Sequence, residues 1–267
     1  MVTLEKKKTK KATTHSLEIF FNRLFYERFV NTDILDFDTT KHSERVSWLS
    51  ALTASDMIDR QNANSRKINA CESEPLDEDS AVFWRSVTQT SGLLHDLGKV
   101  IFSRQLLEGT EKISKDEWKI IIQHPIEAVE MLKKIIPAYM KDEEYVIMLL
   151  KIIEEHHERW DGVKFDIQRI DEHGGYPNGL KGNNIAVPAR IIKVVDSYDA
   201  RTTRKKHDCA PSESLKPAYE HIITLSGKEF DPEIVNAFEQ IYRNKIKPIN
   251  DQLAHALIED YACLALG

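Results

Sequence analysis

The stretch "GLLHDLGK", Gly92 to Lys99, decides how the chain reads. Its first half offers an apolar face, Leu93 and Leu94; its second half sets an imidazole, a carboxylate and, one turn on, an ammonium against that face. Isolated buried charges are costly and are tolerated inside a protein mainly when paired or bound to a metal. His95 and Asp96 therefore call for a compensating group. The helix that carries them is expected to reach Leu97 and to close at Gly98, a residue suited to a left-handed turn.

Outward from this point the pattern is helical throughout. "LEIFFNRLFYERFV" from Leu17 repeats apolar residues at three- and four-residue spacing, and a second helix is expected from about Thr39 to Arg60, followed by a polar loop over 61–79. "SKDEW" at Ser114 offers a helix start with acidic residues in its first turn, and that helix has to bend or break at Pro125. Further helices are expected from about Asp142 to Glu158, over "VPARIIKVVDSYDA", "SESLKPAYEHIITLSG" and "DPEIVNAFEQIY", and from Asn250 to Leu266. No run of period-two alternation appears, so the expected fold class is all-α.

Composition narrows the function classes. The 267 residues, 41% hydrophobic and 30% charged, suit a globular domain with a sizeable core. A net charge of -6 argues against a polymeric nucleic-acid coat, which needs surplus Lys and Arg. No apolar run approaches the roughly 18 residues needed to span a bilayer, and no signal-peptide core is present. The three cysteines, Cys71, Cys209 and Cys263, are widely spaced, which favours a reducing, cytoplasmic setting. Residues 1–14 are Lys-rich and read as a disordered tail, residues 15–37 as an N-terminal helix and linker, and 38–267 as the functional domain.

Among ten histidines, five stand in settings that can converge: His42, His95, His124, His156 and His157. On a helix His95 and Asp96 point about 100° apart, so they suit two ions better than one, with the carboxylate bridging and the imidazole capping. His156 and His157 repeat the doublet. Asp196 in "VVDSYDA" follows an apolar turn and reads as a further ligand, whereas Asp199 reads as a surface carboxylate or an outer hydrogen bond to the site. Mixed nitrogen and oxygen donors without thiolate suit iron or manganese better than a structural zinc site.

These residues carry a resemblance to the HD-GYP subfamily of the HD-domain metal-dependent phosphohydrolases. The matching segments, in family order, are "HSERV" at His42, "LLHDLGKV" at His95, "DEWKIIIQHP" at His124, "HHERWDG" at His156, "GYPNGLKGNNIAVPARI" from Gly175, "VVDSYDA" at Asp196 and "FDPEIVNAF" from Phe230. The resemblance implies a helical bundle with two or three divalent metals, and hydrolysis of cyclic di-GMP to pGpG or GMP by a metal-activated hydroxide. It implies His42, His95, Asp96, His124, His156, His157 and Asp196 as metal ligands. Asp38, four residues before His42, stands where three-metal members carry a glutamate, and is either an eighth ligand or a helix cap. Lys99 is implied as a phosphate contact and, with His95 and Asp96, as a catalytic residue. Tyr176 is implied at the substrate.

Two departures bear on substrate choice. Twelve residues, Val163 to Gly174, intervene between "DG" and "GYP" where the family has one, and this insertion, which includes His173, reads as a lid, a protein-partner surface or an inert loop. After "YDA", "RTTRKKHD" replaces an "RPYK"-like segment, so that Lys205 stands in place of an arginine and lacks its planar fork; Arg201, Arg204 and Lys206 keep the rim basic. Three other readings stay open: a nucleotide-binding sensor with weak turnover, a phosphodiesterase for another cyclic dinucleotide such as cyclic GMP-AMP, and an HD-type iron oxygenase.

Overall fold

The structure, a computed structural model, describes residues 2–31, 35, 37–67, 75–102, 114–168, 174–203 and 215–246, with the backbone alone at 2–12, 37 and 64–67. The described chain is an all-α bundle: α1 (Val2–Phe25), α2 (Phe37–Lys67), α3 (Glu78–Leu94), α4 (Lys115–Ile121), α5 (His124–Ile135), α6 (Glu144–Glu155), α7 (Val187–Thr202), α8 (Leu215–Thr224) and α9 (Pro232–Ile241). Its β structure, among the described residues, is confined to two isolated bridges, Lys164 with Gly175 and Ser226 with Phe230. The stretch expected as a helix over 250–266 lies outside the described residues.

α2 and α3 form the central pair; α1 and α6 pack on α3, α7 and α9 on α2, and α5 on α6. Phe21, Val46, Leu49, Val87, Leu94, Leu149, Ile152, Val194 and Phe238 are fully buried along these contacts. Each such side chain contributes about 1.5–3 kcal/mol by leaving water. Leu17, Phe21 and Phe25 put α1 into the same core. The Lys-rich stretch read as a tail is helical from Val2 onward: Lys, Glu and Ala are good helix formers, and adding turns to an existing helix avoids the cost of nucleation.

Several boundaries follow from local chemistry. Ser114 and Glu117 form a reciprocal capping box at the start of α4, with Ser114 Oγ accepting from Glu117 N at 3.3 Å and Glu117 Oε2 accepting from Ser114 N at 2.7 Å. Pro125 does break the helix, and α5 restarts with the proline in its first turn, where the missing N–H costs nothing. α2 runs to Lys67, well past Arg60, because the residues after Arg60 are polar but not helix-breaking.

The opening stretch differs from its expected form. α3 ends at Leu94, His95 is its C-cap, and Asp96 has φ -93° and ψ 6°, leading into a 3-10 turn over Leu97–Ile101. Gly98 is not left-handed, unlike Gly162, Gly179, Gly182 and Gly227. Its role is clearance: a Cβ there would lie 2.0 Å from the His124 carbonyl oxygen and 2.8 Å from Ala128 N. Only a glycine lets the 3-10 turn pass this close to the start of α5.

Candidate metal centre

Five histidines sit at or near helix ends that point into one interior. His42 lies one turn into α2, His95 caps α3, His124 opens α5, His156 caps α6 with His157 next to it, and Asp196 lies in the middle of α7. His42, His95, Asp96, His124 and His156 are buried. His156 is followed by a turn because the apolar run of α6 stops at Glu155, which accepts Ala186 N at 2.7 Å instead of continuing the helix face.

One device orients three of the rings. Nδ1 of His95, His124 and His156 each faces the carbonyl three residues back, Gly92 at 2.8 Å, Ile121 at 2.8 Å and Ile153 at 2.6 Å. A carbonyl only accepts, so each Nδ1 carries the proton and each Nε2 turns a lone pair inward. His42 reaches the same state differently, with Nδ1 donating to Asp199 Oδ2 at 2.7 Å. Asp199 in turn receives Arg45 Nε at 2.7 Å and Nη2 at 3.1 Å. A carboxylate behind an imidazole fixes its tautomer and raises its basicity as a ligand.

The inward atoms cluster tightly. His42 Nε2 lies 3.1 Å from Asp196 Oδ1 and 3.5 Å from Asp96 Oδ2; His95 Nε2 lies 3.5 Å from Asp96 Oδ2 and 3.8 Å from Asp196 Oδ1. His124 Nε2 lies 3.4 Å from Asp96 Oδ1 and 3.2 Å from His156 Nε2. Two sets of donors have ligand atoms within 4.8 Å of one another: His42, His95 and Asp96, and Asp96, His124, His156 and His157. Asp96 belongs to both. His95 and Asp96 share one set because the helix has already ended, which removes the 100° separation expected on a regular helix.

The donors fit a cation. His42 Nε2, His95 Nε2 and Asp96 Oδ1 are buried without a hydrogen bond of good geometry among the described residues, a costly state for polar atoms unless something binds them. Burial, together with the Lys99 charge, pushes His124 down to about 4 despite Asp96. Burial and the neighbouring imidazoles hold His156 and His157 well below the ordinary histidine range. These rings are neutral, the form that ligates metal. Burial raises the carboxyl pKa of Asp96 and Asp196, but His95, Lys99, His124 and His42 outweigh it for Asp96, and His42 and His95 for Asp196, so both stay well below the usual carboxylate range.

The remaining expected residues are placed as follows. Lys99 Nζ lies 2.5 Å from Asp96 Oδ2. The Tyr176 ring stacks on His157, centroids 4.6 Å apart and 19° between planes. Asp38 is exposed in the first turn of α2, where its negative charge faces a helix N-terminus favourably. Lys205, with Arg204, Lys206 and His173, lies outside the described residues.

Two supports escape a reading of the sequence. Arg45, three residues after His42, is fully buried and holds Asp199. Glu158 accepts backbone N–H groups from Asn178 at 2.6 Å, Gly179 at 3.0 Å and Leu180 at 2.8 Å, fixing the loop that carries Tyr176. Spacing hinted at the first, since i and i+3 share a helix face. The second has no local signal, because its donors lie some twenty residues away.

The profile of the HD domain family matches residues 48–234. The chain belongs to the HD domain family. His42 lies just ahead of the matched stretch of the HD domain, and the other inward-facing ligand candidates lie within it. A cyclic di-GMP phosphodiesterase of Thermotoga maritima is 30% identical over 203 residues, 76% of this chain and 44% of that protein. The 3'3'-cGAMP-specific phosphodiesterase 2 of Vibrio cholerae is 29% identical over 143 residues, 53% of this chain and 24% of that protein. The chain thus spans less than half the length of these relatives. A solved HDG"Y"P protein, Bd1817 from Bdellovibrio bacteriovorus, is similar in fold at a TM-score of 0.52 and 14% identity, covering 89% of this chain and 65% of that one. No helix among the described residues is long and apolar enough to cross a membrane.

Proposed function

We propose that this HD domain is a metal-dependent phosphodiesterase that hydrolyses a cyclic dinucleotide, cyclic di-GMP in the first instance, to pGpG or GMP. The observation that carries the reading is Asp96, one carboxylate shared by two groups of imidazoles whose lone pairs point inward. We assign His42, His95, Asp96 and Asp196 to one ion and Asp96, His124, His156 and His157 to the second. Asp38, exposed in the first turn of α2, favours two ions over three. The nitrogen and oxygen donors favour iron or manganese. When bound, such a pair supplies an activated water and offsets negative charge on the phosphoryl oxygens.

The chain's own residues do the positioning. The three backbone carbonyls and Asp199 keep the rings in the ligating tautomer before substrate arrives, so little reorganisation accompanies the reaction. Lys99, on the Asp96 carboxylate, places an ammonium where a non-bridging phosphate oxygen can accept from it. Tyr176 is held well above its ordinary pKa by burial and by Asp196, Asp96 and Glu229, so its phenol stays protonated and can donate a hydrogen bond. No covalent nucleophile is needed. A cytoplasmic location accords with the sparse cysteines and the substrate class.

The test is turnover of cyclic di-GMP and of 3'3'-cGAMP by anaerobically purified protein loaded with Fe²⁺ or Mn²⁺. The reading expects pGpG or GMP from cyclic di-GMP, abolished by a chelator and restored by metal. Tight nucleotide binding with no product would refute hydrolysis and leave a sensor; oxygen consumption with an organic substrate and no phosphodiesterase activity would point to an oxygenase.

A further inference from the structure

The insertion between "DG" and "GYP" is built onto the mouth of the centre. Phe165 N donates to Gly175 O at 2.8 Å and Gly175 N donates to Val163 O at 2.7 Å, so the start of the insertion is clipped to the residue that precedes Tyr176. Phe165 then stands with its ring 6.1 Å from that of Tyr176 and 6.3 Å from that of Trp118 in α4. A cavity of about 210 Å³ opens beside Phe165 and Tyr176, walled by these two rings with Ile122 and Ile126, and with Gln123 and Lys164 on its lining. That is below the roughly 300–1,000 Å³ of pockets that swallow a drug-sized ligand. It suits one planar ring system, not a whole dinucleotide.

Two polar side chains, Lys164 and Gln123, belong to this lining. The Lys164 stem is laid across Gly179, where a Cβ would meet its Cε at 2.2 Å, and this fixes where the chain of that lysine runs. Gln123 directly precedes the ligand candidate His124, so the amide and the metal centre move as one piece. Tyr176 joins the two spaces, since its ring lines the cavity and stacks on His157. A phosphodiester held at the centre would thus carry a base attached through its ribose toward this cavity.

Resting on the phosphodiesterase reading, we infer that the insertion supplies a base-binding subsite in which Phe165 stacks a purine of the substrate while Lys164 and Gln123 face its hydrogen-bonding edge. Base–aromatic stacking tolerates any base, whereas lysine donates to O6 and N7 of guanine and glutamine pairs with adenine. The cavity therefore offers both an anchor and a means of choosing between purines.

The experiment compares two substrates on the metal-loaded full chain: cyclic di-GMP and bis(p-nitrophenyl) phosphate, a phosphodiester without a purine. The quantity read is the ratio of kcat/KM for the first to kcat/KM for the second. Phe165→Ala should lower this ratio about tenfold, the loss expected for removing a base–aromatic stack, and Phe165→Trp should restore it to within about twofold. A ratio unmoved by Phe165→Ala, or one that Phe165→Trp fails to restore, overturns the subsite while leaving the phosphodiesterase reading intact. A wild-type protein that cleaves no cyclic dinucleotide refutes that reading itself, and the subsite falls with it.

Discussion

Asp199→Ala probes the layer behind the metal ligands. In the folded protein this carboxylate is buried, accepts from Arg45 Nε at 2.7 Å and Nη2 at 3.1 Å, and accepts from His42 Nδ1 at 2.7 Å. Removing one partner of a buried pair costs about 3–5 kcal/mol, because the other charge keeps its desolvation penalty. The Thr203 hydroxyl, 3.0 Å from Arg45 Nη2, stays and offsets part of that loss, so a cost of about 3 kcal/mol is expected. At ~2–4 °C per kcal/mol for a chain of this size, the melting temperature of the metal-free protein should fall by about 6–12 °C. His42 also loses the acceptor that fixes its tautomer, which should weaken metal binding about 10–100-fold.

The double change Arg45→Met with Asp199→Ala separates the two effects. Replacing a buried pair by apolar groups is often neutral for stability, so much of the melting temperature should return. The metal affinity should not, since His42 still lacks its orienting carboxylate. Thermal melts of metal-free protein and calorimetric titration with Mn²⁺ read both quantities. A single variant that melts within about 2 °C of wild type, against the several degrees argued from the buried pair, would refute the assignment of Asp199.

Asp96→Ala should abolish both metal loading and turnover, measured by elemental analysis and nucleotide assay, because one side chain serves both donor sets. Gly98→Ala should cost about 3 kcal/mol, the upper end for overpacking, since the clashing atoms at 2.0 and 2.8 Å are backbone and cannot rotate away; metal stoichiometry should drop with it as the start of α5 is displaced. In the metal-free protein, His124 at about 4 lies below the ordinary 6.5. The unfolded chain therefore binds more protons in that window, and stability should fall as pH drops from about 6.5 to about 4, by up to ~3 kcal/mol from this group. Asp96 and Asp196, held low, add stability that is lost only as pH falls below the ordinary carboxylate value of about 3.9. Denaturant melts across pH 3–8 check the order of these losses.

The legible part of the fold came from side chains that act on their own neighbourhood. Ser114 with Glu117 announced a cap, Pro125 announced a break, and the three- and four-residue spacing of "LEIFFNRLF" announced a buried face; each needs nothing beyond its own turn of chain. Gly98 reads locally as a helix stop, whereas its constraint comes from the His124 carbonyl, a neighbour in space that no local pattern reveals. α2 outruns its apolar pattern because polar composition does not by itself end a helix. In the centre, the adjacent His–Asp and His–His doublets pointed to ligands, and Asp196 to their company. The inward aim of the doublets depends on where α3 and α6 stop, while His42 and Tyr176 depend on Arg45 and Glu158, whose partners come from distant segments.

The most direct test is an anomalous-scattering map from crystals grown anaerobically with Mn²⁺. Two peaks are predicted, one on either side of the Asp96 carboxylate, the first against His42, His95 and Asp196 and the second against His124, His156 and His157, each about 2 Å from its ligand atoms. Manganese found only at surface carboxylates, with the space beside Asp96 empty, would contradict the account.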